Sequence, residues 1–160
     1  MSDGGIPIGG ANGGLGGQSM RGLGIAASGL SAQRARLDAI SANIANAETT
    51  RGVDGKPYRR KVVQLQEVGF EPVLNGVEAP QQGDEGFGGV RIAGVAEDTS
   101  EGSLVYDPGH PDADANGYVH MPNVDLNTEM VDLMESRRLF EANASVFAAI
   151  KSMLHRSTQL

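Results

Sequence analysis

AASGLSAQRARLDAISANIANAETTR, residues 26–51, is a run of helix formers that ends in a polar stop. Ala, Leu, Arg and Gln dominate it, and each costs little in a helix interior. Leu30, Leu37 and Ile44 recur every seven residues, and Leu23 extends the row toward the N-terminus. Ala26, Ile40 and Ala47 fall three positions after members of that row, leaving Gln33 polar at that offset. This is a narrow heptad seam. It predicts a helix over about 21–47, closed by Glu48-Thr49-Thr50-Arg51-Gly52. Asn43 and Asn46 are poor choices for bare helix stability. They either cap the helix end or hydrogen-bond across a helix interface and fix its register.

A second helix is predicted from about Val124 to the end, with Asn123 or Asp125 as its cap. Leu126, Leu133, Phe140, Phe147 and Leu154 repeat every seven residues. The companion row is imperfect: Met130 fits it, but Arg137 and Lys151 follow. Leu139, Val146 and Met153 fall beside the main row, so the apolar stripe is wider than a two-stranded coil needs. A helix of about 30 residues is about 45 Å long. Two such helices in a chain of 160 residues carry more apolar seam than their own core can hide. That excess argues for assembly.

Between the helices, residues 58–68, 89–96 and 103–106 read as short strands, separated by stretches rich in Pro and Gly. Residues 107–117 (DPGHPDADANG) read as an irregular loop, because two Pro and two Gly exclude helix or central strand. Residues 1–20 hold many of the chain's glycines and read as a flexible leader that cannot offset its ordering entropy. The expected fold is α+β: a coiled-coil-like pair of long terminal helices around a small β-rich middle. Its segments are a leader at 1–20, an N-terminal helix within 21–50, a β region at 51–122 and a C-terminal helix within 123–160.

Composition narrows the function classes. The chain has no Cys and no Trp, which removes disulfides, thiolate metal sites and a Cys nucleophile. No apolar run approaches the ~20 residues of a membrane span, and residues 1–20 lack the basic start and apolar stretch of a secretory signal. The net charge of −7 is unevenly spread: residues 20–66 carry +5 and residues 67–114 carry −10. The acidic middle would repel nucleic acid. The charge division reads as a solvated surface, or as complementarity between neighbouring copies.

Motifs for chemistry are thin. Gly22-x-Gly24-x-x-Ala27 matches a loose dinucleotide pattern, but no strand precedes it. Asp112-x-Asp114-x-Asn116-Gly117 opens like a calcium loop of the EF-hand type, yet its twelfth position is Asn123 rather than a bidentate Glu. A looser cation site could draw on Asp107, His110, Asp112 and Asp114. His110, His120 and His155 are not spaced as metal ligands, and no HExxH or GxSxG is present. No catalytic, cofactor-binding or metal-binding residue is expected.

The stretch 26–51, the run Pro57-Tyr58-Arg59-Arg60-Lys61-Val62, and VYDPGHPDADANGYVHMPNVDLNTEMVDLMESRRLFEANASVFAAIKSM at 105–153 together resemble the flagellar rod and hook axial protein family, and its proximal-rod branch in particular. The loop Tyr106-Asp107-Pro108-Gly109-His110-Pro111-Asp112 is what separates that branch from its sisters. The resemblance implies a structural subunit, not an enzyme. Its terminal helices would stack helically to wall an axial channel and transmit torque, with the β region outward. It would leave by the flagellar type III export apparatus without a cleaved signal and reside in the periplasmic rod. Implied partners are further copies, other proximal and distal rod proteins, and the adaptor at the export gate and MS ring. The assembly interface is expected on Leu23, Leu30, Leu37, Ile40, Asn43, Ile44, Asn46, Leu126, Met130, Leu133, Phe140, Phe147 and Leu154. The alternatives are a secreted cation-binding module using loop 107–114, and an enzyme acting on peptidoglycan.

Overall fold

The computed structural model describes residues 15–69 and 88–157, with side chains from Arg21 onward. Helix α1 spans Leu15–Ala45 and helix α2 spans Leu126–Ser157. Strands β1 (Lys61–Val68), β2 (Gly89–Glu97), β3 (Leu104–Tyr106) and β4 (Tyr118–His120) lie between them. The α+β arrangement of two long terminal helices around small antiparallel strand pairs is thus the one the periodicities give. The leader expected at 1–20 is shorter by its last positions, because α1 begins at Leu15. The rest of that leader, and the Pro- and Gly-rich stretch at 70–87, lie outside the described residues.

The helices run antiparallel. Gly22 faces Ile150, Gly29 faces Asn143, and Asn43 reaches Glu129, so the matched positions recur at heptad intervals on both helices. A Cβ on Gly29 would stand 3.0 Å from Asn143 Nδ2, and one on Gly22 would stand 3.3 Å from Ile150 Cδ1. Small residues therefore set the spacing. Ala26, Ala32, Ala39 and Ile40 of α1 and Ser136 of α2 are buried. Leu23, Leu30, Leu37 and Ile44, expected at the centre of the seam, are half-buried. Gly and Ala at the contact line bring the backbones close, and the larger Leu side chains are displaced to its flank.

The sheet of β1 and β2 lies along α1. Its register pairs Lys61 with Glu97 and Val68 with Gly89, with a bulge between Gln64 and Leu65. At its far end Gly89 takes a φ of 111°, and a Cβ there would collide with Ser28 Oγ. The Ser28 hydroxyl accepts a bond from Val90 N at 3.3 Å. Strand β4 is absent from the sequence expectations. Three residues carry no readable period, and it pairs with β3 only because Gly117, at a φ of 82°, turns the loop back.

Candidate assembly interface

Among the described residues, polar bonds between distant segments converge where α1 ends, β1 begins and α2 starts. Asn43 is buried at the C-terminal end of α1. Its Oδ1 accepts bonds from Lys61 N at 2.8 Å and from the Tyr58 hydroxyl at 3.0 Å. Its Nδ2 donates to Lys61 O at 3.0 Å and to Glu129 Oε2 at 3.1 Å. One side-chain amide thus satisfies both backbone groups of Lys61, as a neighbouring strand would.

Glu129 is fully buried in the first turn of α2. Arg60 Nε donates to its Oε1 at 2.5 Å, and Arg60 Nη2 reaches Asp132 Oδ2 at 3.3 Å. The hydrogen bond to Glu129 raises the Arg60 pKa further above its ordinary value. Burial, with Glu129 and Glu97 nearby, raises that of Tyr58, so the phenol stays a donor. Asn123 closes the other side. Its Oδ1 accepts from Arg60 N at 2.8 Å, and its Nδ2 donates to Asp98 O and Ser100 Oγ, both at 3.1 Å.

The two Asn make different bonds. Asn43 bonds across the helix interface to Glu129. Asn46 finishes α1, donating to Ala42 O at 2.8 Å and accepting from Thr49 Oγ1 at 3.2 Å. Of the two caps considered for α2, Asp125 serves: it accepts from Asn127 N and Thr128 Oγ1. The sequence reading missed Arg60 and Glu129. A signal existed, since Glu129 falls between Leu126 and Leu133 on the apolar side of α2.

The apolar rows divide. Ile40 is buried, while Leu133, Phe140, Phe147 and Leu154 are half-buried. Leu126 and Met130 stand exposed. With Val131, Met134, Leu139, Val146 and Met153 they form exposed apolar flanks on α2. In the run from Tyr106 to Asp112, Tyr106, Asp107, Pro108 and Pro111 are exposed, and His110 and Asp112 are half-buried. Tyr106 packs edge-on against Tyr118 with ring centroids 5.2 Å apart.

The loop's acidic side chains already serve its own turns. Asp107 Oδ1 accepts from Gly109 N, and Asp114 Oδ1 accepts from Asn116 N and Tyr118 N. Asp112 accepts from the Thr50 hydroxyl at 2.8 Å and from Arg51 at 3.4 Å, while His110 Nδ1 accepts from Asp112 N. Among the described residues no group of three or more His, Asp or Glu converges as a metal site would.

Those bonds make stability pH-dependent. The carboxyl of Asp112 is held below its ordinary value near 3.8, chiefly by the Thr50 hydroxyl, and that of Asp114 chiefly by Tyr118 N–H. Asp98 and Asp125 are lowered in the same way, by Ser100 and Thr128. A depressed folded-state pKa gives stability that is present above the unfolded value and lost as pH falls toward the folded one. The urea midpoint should therefore hold from neutrality to about pH 5 and fall below about pH 4. An unchanged midpoint at about pH 3 would contradict this assignment.

Two family models match the chain: "Flagella basal body rod protein" over residues 23–51 and "Flagellar basal body rod FlgEFG protein C-terminal" over residues 115–160. Among curated proteins it is similar to the flagellar basal-body rod protein FlgC of Bacillus subtilis, with 46% identity over 86% of this chain and 95% of the relative. FlgC of Borreliella burgdorferi is 45% identical over 82% of this chain and 90% of its own length. FlgC of Salmonella typhimurium is 44% identical over 85% and 92%.

Proposed function

The chain belongs to the FlgC family of flagellar basal-body rod proteins, and from that premise we propose that it builds the proximal rod by stacking helically through its terminal helices. It is a structural subunit, not an enzyme. In the proposed arrangement α1 and α2 wall the axial channel and transmit torque, and the strand pairs face outward. The contacting proteins are further copies, the other proximal and distal rod proteins, and the adaptor at the export gate and MS ring. The chain reaches this periplasmic position through the flagellar type III export apparatus.

The observation that carries the proposal is the excess of apolar surface on α2. Leu126, Met130, Met134, Leu139, Val146 and Met153 are exposed on a helix already paired with α1. A stripe that wide needs more than one neighbour. Helical stacking supplies several, because a heterologous contact that does not close repeats along a filament.

The test is direct. Basal bodies isolated from cells carrying an epitope between β2 and β3 of this chain should bind antibody on the rod segment nearest the MS ring. Label confined to the distal rod or hook, or absent from complete basal bodies, would overturn the placement.

A further inference from the structure

We propose that Asn43, Arg60 and Glu129 form a coupler that locks the β1–β2 sheet to the helix pair so that the two move as one body. The coupling is read from the chain's own geometry; its use, passing torque from the helices to the outer strands, rests on the rod reading above.

Three parts of the chain meet at one point, and each is held by the other two. Lys61 opens β1, and both its backbone groups are bonded by the Asn43 amide. Arg60, one residue earlier, bonds through its side chain to Glu129 and Asp132 of α2. Its backbone N–H goes to Asn123, just before α2, and its carbonyl accepts from Asp98 N at the end of β2. Glu129 in turn ties α2 to α1 through Asn43. A buried carboxylate with directional donors on two different elements tolerates little sliding, since losing either donor leaves charge unpaired away from water.

Apolar packing would hold these elements together without fixing their angle. The small side chains along the α1–α2 line, Ala26, Ala32 and Ser136, make a smooth contact. At the far end, among the described residues, the longer Ser28–Val90 bond also ties the sheet to α1. The angle is therefore set at the coupler.

A charge exchange within the coupler tests this. Asn43→Asp keeps the acceptor for Lys61 N and Tyr58, but sets two carboxylates side by side. Adding Glu129→Gln restores a donor facing Asp at position 43. Hydrogen exchange would be followed on the isolated full chain. Asn43→Asp should speed exchange about tenfold or more in both β1 and the first turns of α2, and leave Phe147–Leu154 unchanged. The double substitution should recover most of the protection in both places. Tyr58→Phe, which removes one donor to Asn43, should shift the same two segments together by a smaller factor. If Asn43→Asp unfolds the chain and the double variant refolds it, the coupling stands. Faster exchange in only one of the two segments, or a double variant no better than Asn43→Asp, overturns it. This outcome does not depend on rod membership, which is decided by antibody labelling of the basal bodies.

Discussion

Cells in which Leu133 is replaced by Asp should express the chain at normal levels yet fail to complete rods or swim. Leu133 is half-buried near the middle of the predicted α2 row, between the coupler end of the helix and its exposed C-terminal flank. Burying a leucine of this kind contributes about 1.5–3 kcal/mol. An aspartate forfeits that and brings a charge that must be hydrated, at a further cost of several kcal/mol if the position is covered. In a single molecule a half-buried site can open to water and limit the damage. In a repeating assembly the same loss recurs at every copy, so a modest defect per chain becomes a missing structure. Electron microscopy of basal bodies from mutant cells is the measurement. Complete rods and normal swimming would mean that the Leu133 row of α2 is not needed for assembly. A surface change such as Glu97→Gln should be nearly silent, within about 0.5 kcal/mol.

Arg60→Ala should give the largest loss of stability in the isolated chain. It leaves Glu129 buried with a single amide donor from Asn43. Breaking a buried pair in this way costs about 3–5 kcal/mol. The Arg60 side chain is 27% exposed, so water screens part of the loss and about 2–4 kcal/mol is a fairer figure. For a chain of this size that is a fall in Tm of roughly 5–15 °C. Arg60→Lys should recover part of it, because a point charge can reach Glu129 but cannot also hold the fork toward Asp132. Thermal unfolding at neutral pH reads the difference. A Tm for Arg60→Ala within about 2 °C of the parent would mean that the Arg60–Glu129 pair does not hold the fold.

Seven-residue repeats were the legible part of this fold. They locate both helices because a row from Leu126 to Leu154 has no competing interpretation as strand or loop. The contact line itself was less legible. Leu23, Leu30 and Leu37 advertise a seam by hydrophobicity, whereas Gly22, Gly29 and Ala32 define it by the absence of bulk. Period alone cannot separate those two rows, which lie side by side on one helix. The coupler was half visible. Asn43 and Asn46 stand out as polar residues beside an apolar row, and their family resemblance singles out the same stretch. Their partners do not stand out, because a Glu at the start of a helix and an Arg in a basic run are ordinary there. Only the chain's long-range path makes Arg60 and Glu129 a buried pair.

The antiparallel match of Gly22 with Ile150 sets a schedule for the growing chain. The two positions are about 128 residues apart, so at about 5–20 residues per second α1 waits roughly 6–26 s on the ribosome for the segment that covers it. Through that interval α1 has only β1 and β2 of its own chain to pack against, because α2 is the last element made. The coupler is subject to the same order, since Glu129 follows Asn43 by 86 positions. Closing so wide a loop makes pairing of the helices the late, slow event of folding. A nascent chain of this design is therefore most exposed to aggregation before its last thirty or so residues emerge, and anything that shields α1 until then acts on yield rather than on the finished fold.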